Sequence, residues 1–388
     1  MPFAAALSEH PLATHAVGEV VGEVLDRLGE EPDLAILFVS AAHTGAIEDI
    51  ARAVRTLLRP RVLVGCTAGT VVGGDREVED HVALSLWAGR IPSVEAHRLS
   101  AVRTGDGLAI TGFPAADELP PDAEVLIVLA DPYSFPAEEF LDGVREQVGV
   151  DLPVIGGLAS AARGPGGNRL VVDDEILVEG AVVVAIGGVD VTTVVSQGCR
   201  PIGDPMVVTS GQGSLIHELA GRNALERVQS VLRALPPDDV QLAQQGLHVG
   251  RVIDERKPEF EQGDFLIRDV LGADRATGAV AVGDEIEVGA TVQLQVRDAV
   301  SADEDLRELL ANQDADGALL FTCNGRGTHL FGVEDHDARL LSDALDRAPI
   351  AGMSCAGELG PVGGRSFLHG FTASVLLLSD RGNGHVTR

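Results

Sequence analysis

The chain has 388 residues, room for two to three domains, and its 45% hydrophobic but only 3% aromatic content makes any core one of Val, Leu, Ile and Ala. Asp and Glu number 59 against 29 Lys and Arg, and a net charge of −30 argues against nucleic-acid or anionic-lipid partners, which need basic residues on phosphate. Four cysteines without a CxxC pair, no basic leader and no uncharged apolar run near ~20 residues point to a cytoplasmic protein without membrane insertion.

Thr14 is placed to cap a helix over His15–Leu28, whose valines and leucines fall on one face and which Gly29 closes. A first unit follows: strand Leu34–Val39, turn Ser40–Gly45, helix Ile47–Leu58, strand Val62–Val64, a glycine loop from Gly65 to Gly74, and strand Val82–Trp87. The order recurs with strand Val125–Leu129, helix Glu138–Val148, strand Val154–Ile155, a second glycine loop, a hairpin around Asp173-Asp174, and strand Ala181–Ile186. A third copy comes late: strand Ala318–Thr322, turn Asn324–Thr328, helix Asp337–Asp346, the stretch Ala348–Gly364, and strand Phe371–Leu378.

Strand start and loop glycine are 31 residues apart in the first two units (Leu34 to Gly65, Val125 to Gly156) and 34 in the third (Ala318 to Gly352). Between the second and third copies the pattern changes. There the sequence predicts a strand at Met206–Thr209, a helix over Leu215–Leu235 capped by Ser214, short strands within 247–297 and a helix over Ala302–Leu310. The expected fold is α/β with α+β character: mixed sheets with covering helices, a β-α-β-β unit repeated about three times, and a β-rich insertion. The expected domains are 1–195, with two units, and 196–388, with the β-rich segment and the third unit.

Motifs for common chemistries are missing. Gly211-Gln212-Gly213-Ser214 and Asn324-Gly325-Arg326-Gly327 both fall short of GxGxxG, and there is no GKS/GKT, HExxH or GxSxG. The cysteines carry no zinc spacing, so neither metal nor cofactor is expected. The most informative constellation is in the third unit, where Arg326 follows the first strand and Glu358 the second. An arginine fork takes a carboxylate and a glutamate an ammonium, which suits a zwitterion. The same two residues could equally form a structural ion pair. Candidate ligand-binding residues are Asn324, Arg326, Gly352, Ser354, Cys355, Gly357, Glu358 and Gly360. Arg268-Asp269 and Arg297-Asp298, expected on neighbouring strands, read as a solvated face. The glycines shared by all units (Gly65, Gly156, Gly352) suit strand-to-loop packing; the glutamate, the arginine and the thiol are particular to the third.

Phe321-Thr322-Cys323-Asn324-Gly325-Arg326-Gly327, Ala356-Gly357-Glu358-Leu359-Gly360-Pro361-Val362-Gly363 and Phe367-Leu368-His369-Gly370-Phe371-Thr372 resemble the carboxy-terminal FIST domain, as does Gly263–Arg268. Val64-Gly65-Cys66-Thr67-Ala68-Gly69 is similar to the amino-terminal FIST domain. The resemblance implies a sensory module of signal transduction that binds a small polar ligand such as an amino acid, here standing alone and signalling through a separate output protein. Two other readings stay open: an enzyme using Cys323 or Cys355 with His43, His329 or His369, and an interaction scaffold without a ligand.

Overall fold

The computed structural model describes residues 2–105, 107–148 and 152–381. Two compact units result: one of residues 1–195, 307–368 and 372–388, the other of residues 196–306 with His369–Phe371. The chain thus leaves the first unit after Val195 and re-enters it at Arg307.

In chain order, the first unit opens with β1 (Phe3–Ser8) and α1 (Ala13–Leu28). Its first lobe continues with β2 (Leu34–Ser40), a short 3-10 turn, α2 (Ile47–Leu58), β3 (Val62–Ala68), the hairpin β4 (Thr70–Gly73) and β5 (Arg76–Glu79), and β6 (Leu84–Gly89). Then come β7 (Ser93–Thr104) and β8 (Gly107–Thr111). The second lobe has β9 (Ala123–Ala130), α3 (Ala137–Val148), β10 (Val154–Leu158), the hairpin β11 (Leu170–Val172) and β12 (Glu175–Leu177), and β13 (Ala181–Gly187), followed by β14 (Asp190–Gln197).

The second unit holds β15 (Cys199–Gln212), β16 (Leu215–Leu219), β17 (Arg222–Asn223), α4 (Ala224–Ala234), α5 (Pro237–Gln245), β18 (Leu247–Val252), β19 (Phe265–Ala273), β20 (Val280–Val282) and β21 (Thr291–Arg297). α6 (Ala299–Leu310) follows. The third lobe has β22 (Gly317–Cys323), α7 (Thr328–Phe331), α8 (His336–Ala344), β23 (Ile350–Cys355), the hairpin β24 (Glu358–Val362) and β25 (Arg365–His369), and β26 (Thr372–Ser379).

The three lobes of the first unit share one plan. Each centres on a parallel pair, β2 with β3, β9 with β10 and β22 with β23, flanked by an antiparallel strand, β6, β13 or β26. Those strands are almost wholly buried, the pattern of a sheet covered on both faces. Each lobe lends its hairpin to another: β4 pairs with β23, β11 with β3, and β24 with β10. The strand that follows each lobe is passed on too, β7 to β13 and β14 to the side of β26, while β1 takes the corresponding place beside β6. The result is a ring of three sheets. Their inner faces meet in one apolar core that includes Phe38, Trp87, Ile127, Val184, Phe321 and Met353, with Phe38 edge-on to Phe321 at 6.2 Å. Helices α1 and α2 seal the outer face of the first sheet, and α3 that of the second.

The repeated glycines are explained by this plan, with a correction. Gly65, Gly156 and Gly352 lie inside β3, β10 and β23, because the parallel pairing runs on past them. A Cβ at any of the three would overlap the carbonyl oxygen of its register partner, Leu37, Val128 or Leu320. Only glycine lets the two backbones come this close. Glu358 and Gly360 are likewise strand residues of β24.

The second unit is a β-barrel. Strand order β15-β21-β18-β19-β20-β16 closes through pairing of β15 with β16, and the two-residue β17 folds back antiparallel on the end of β16. The helix expected over Leu215–Leu235 is therefore half strand. Ala220 and Gly221 take positive φ and turn the chain back on itself, and the helix begins only at Ala224, capped by the Asn223 side chain accepting from Glu226 N. The expected Thr14 cap is also displaced: α1 starts at Ala13 from Leu12, with no side-chain cap. Arg268 and Arg297 are not on neighbouring strands, since β18 lies between β19 and β21. Arg268 pairs with Asp284 at 3.0 Å, and Arg297 lies over the Phe371 ring.

Candidate functional site

The parallel strands of all three lobes end on the same side, and their ends are stitched together. Ser160, just beyond β10, donates its Oγ to Ser354 O (2.6 Å) and accepts Gly69 N (2.9 Å), while its own amide donates to Thr67 O. Ser354 Oγ accepts Thr70 N (3.0 Å), and Asn324 N donates to Cys355 O (3.0 Å). One residue from each lobe is thus tied to a residue of another. Over these ends lies a cleft of about 650 Å³, within the range of small-molecule sites.

Its lining is polar and carries both signs. The first lobe supplies Thr70 and the carboxylates Glu79 and Asp80, the second Tyr133, Ser160 and Arg163, and the third Asn324, Thr328 and His329. Glu79 is engaged at the rim by Thr328, whose backbone N and hydroxyl both donate to it. Asp80 and Arg163 are exposed. Tyr133 reaches across to donate its hydroxyl to Ala162 O at 3.2 Å. Of the candidate ligand-binding residues Asn324 lines this cleft, as does His329 from the enzyme reading.

The other expected residues lie beneath it or away from it. Gly352 and Ser354 are buried in β23, Cys355 ends that strand, and Gly357 makes the tight turn into β24. Gly360 is packed where a Cβ would meet Val195 and Ser374. Arg326 and Glu358, the expected charge readers, are 2% and 0% exposed. They are not paired with each other as a bidentate bridge either. The partner of Arg326 is Asp337 at the start of α8, through two bonds of 2.6 and 2.9 Å. The guanidinium also lies 5.2 Å from the Phe331 ring, itself stacked on His336.

Burial alone would push Asp337 up, but the Arg326 charge and bonds, with His336, hold it down at about 2. Nearby Glu77 answers oppositely. Burial and the Asp337 charge raise it to about 7, although its carboxylate accepts Ala338 N at 2.8 Å. Glu358 is buried under the third lobe, where desolvation drives it up to about 8 against the opposing effect of Thr372 N (3.1 Å) and Oγ1 (2.8 Å), which both donate to it. At neutral pH Glu358 is mostly the neutral acid, a poor partner for an ammonium. Sequence reasoning missed Asp337 because eleven residues and a short helix separate it from Arg326.

Burial also lifts the Cys66 and Cys355 thiols, the wrong direction for a nucleophile. Among the described residues no group of three or more His, Cys, Asp or Glu is arranged to hold a metal ion. No described helix is long and apolar enough to cross a membrane.

Comparison with known proteins agrees with this architecture. The FIST N domain matches residues 33–222 and the FIST C domain residues 224–361. The chain is 43% identical over 390 residues to the uncharacterized protein Rv0628c of Mycobacterium tuberculosis H37Rv, covering 98% of this chain and all of the relative. It is 44% identical over 380 residues to the uncharacterized protein Mb0898c of Mycobacterium bovis, covering 95% and 97%. FIST domains are associated with sensory modules of signal transduction. Matched by both domain models over most of its length, the chain belongs to the FIST family.

Proposed function

We propose that the chain is a cytoplasmic sensory module that binds a small polar metabolite, with an amino acid the best fit, and reports it to a separate partner protein. The observation that carries this reading is the cleft where the three lobes converge. Its lining offers the exposed guanidinium of Arg163 for a carboxylate, the carboxylates Glu79 and Asp80 for an ammonium, and the Asn324 amide and Thr70 and Ser160 hydroxyls for orientation. A zwitterion satisfies both signs at once, whereas a simple anion would meet the acids unfavourably. Arg326 and Glu358 then act from below, holding the third-lobe strand ends in place. Because each lobe contributes to the lining, a ligand that draws the lobes together would alter the surface a partner meets.

Thermal-shift and calorimetric screening of amino acids and small organic acids tests this. The expected result is a zwitterionic ligand whose affinity falls at least tenfold, about 1.4 kcal/mol, in both Arg163→Ala and Asp80→Ala, with the melting temperature of the free protein unchanged. A ligand held equally well by the wild type and both variants would place the site elsewhere. A scaffold without a ligand is the outcome if nothing in the screen stabilises the protein.

A further inference from the structure

Two of the four cysteines are register partners. Cys323 ends β22 and Cys355 ends β23, and the parallel ladder places them directly opposite each other. Paired residues of neighbouring strands point to the same face and lie about 4.8 Å apart, inside the Cα separation of about 4.4–6.8 Å that a disulfide spans. That face is the inner one, shared by Phe321, Met353 and Cys355. The two sulfurs differ in access: Cys323 is half-buried and Cys355 fully buried. Room for the inner sulfur comes from the neighbouring lobe, where a Cβ on Gly157 would overlap Cys355 Sγ. The residue after each cysteine, Asn324 or Ala356, lines the cleft.

We infer that Cys323 and Cys355 form a redox-responsive dithiol beneath the cleft, oxidised by hydroperoxides to a cross-strand disulfide. The half-buried Cys323 reacts first. Its sulfur takes the terminal oxygen of the hydroperoxide, giving a sulfenic acid and releasing water or an alcohol. Cys355 then attacks that sulfur, the S–S bond forms, and the hydroxyl leaves as water with the Cys355 proton. Overall two thiols and one hydroperoxide give one disulfide, one water and one water or alcohol. Arg326 and the Glu358 carboxyl are both within electrostatic reach of Cys323. The buried cluster of the third lobe therefore borders the reacting atom. Access sets the order: Cys355 is fully buried, so the half-buried Cys323 is the sulfur a hydroperoxide meets first.

The test is peptide mapping of the folded protein after brief treatment with substoichiometric hydrogen peroxide. The expected product has lost two hydrogens and contains a peptide linking Cys323 to Cys355, restored to thiols by dithiothreitol. In Cys355→Ala the reaction should stop at Cys323, trapped by dimedone as the sulfenic acid, while Cys66→Ala should still give the link. Wild-type mapping needs no variant, so a core substitution that fails to fold leaves the test standing. Oxidation of Cys323 to sulfinic acid with Cys355 still alkylatable after unfolding, or a link from either of them to Cys66, overturns the inference. So does a protein whose four thiols all survive the treatment.

Discussion

The second and third lobes each bury a carboxylate near the ends of their strands and treat it in opposite ways. Asp131, after β9, is 1% exposed and accepts Ser134 Oγ (2.7 Å), Asn168 Nδ2 (3.0 Å) and Tyr133 N (3.2 Å). Glu358, on β24, is 0% exposed, and burial outweighs its Thr372 bonds and leaves it at about 8. Asp131 spends its oxygens on donors that organise a turn, whereas Glu358 is held as a neutral acid beside two thiols.

The largest effect is expected at the buried Arg326–Asp337 pair of the third lobe. Asp337→Ala leaves the Arg326 guanidinium buried without its counterion and should cost about 3–5 kcal/mol, read as a lower urea midpoint. Replacing both residues with apolar side chains should recover most of that loss. A single-variant loss under about 1 kcal/mol would mean that water reaches Arg326.

Next comes Glu358. Its folded pKa lies above the unfolded value, so its contribution is fully present below about pH 4.5 and is lost as pH rises towards about 8. Glu77, raised to about 7, adds to the same fall, whereas Asp337, held at about 2, weakens the fold only on the acid side, as pH drops below about 4. Glu358→Gln should flatten much of the decline and leave the variant more stable than wild type at pH 9 by about 2–3 kcal/mol. An unchanged profile in unfolding titrations from pH 5 to 9 would remove Glu358 as its source. The smallest change belongs to the second lobe: Asp131→Ala should destabilise by about 2 kcal/mol, because it strands buried donors. At pH 9 the Glu358→Gln and Asp131→Ala substitutions thus move stability in opposite directions, and equal signs in the two measurements would break the contrast.

The ring was far more legible than the barrel. Leu34–Val39, Val125–Leu129 and Ala318–Thr322 are unbroken apolar runs, and such runs leave little choice but a covered parallel strand. The glycines were visible too, although a glycine inside a strand looks the same as one in a loop until the partner strand is known. Leu215, Ile216 and Leu219 misled for a definite reason: their spacing fits one face of a helix, and only the positive-φ turn at Ala220-Gly221 separates the strand from the real helix. β1 went unseen because Ala4-Ala5-Ala6 has little strand preference of its own and is fixed by pairing with β6. The cleft was hardly legible, since its lining comes as single polar residues from loops of three lobes, and only the fold brings Asp80, Arg163 and Asn324 together.

The lending of hairpins around the ring has a consequence for how the protein is made. By the time Val195 has been synthesised, the first sheet has every strand it needs, from β1 to β12. The second still lacks β24 and β25, and β4 and β5 have no third sheet to join. A nascent chain must therefore carry an open strand edge and an unplaced hairpin through the whole synthesis of the barrel. Native closure waits for the last eighty or so residues, and the order of translation itself decides which of the three sheets can close first.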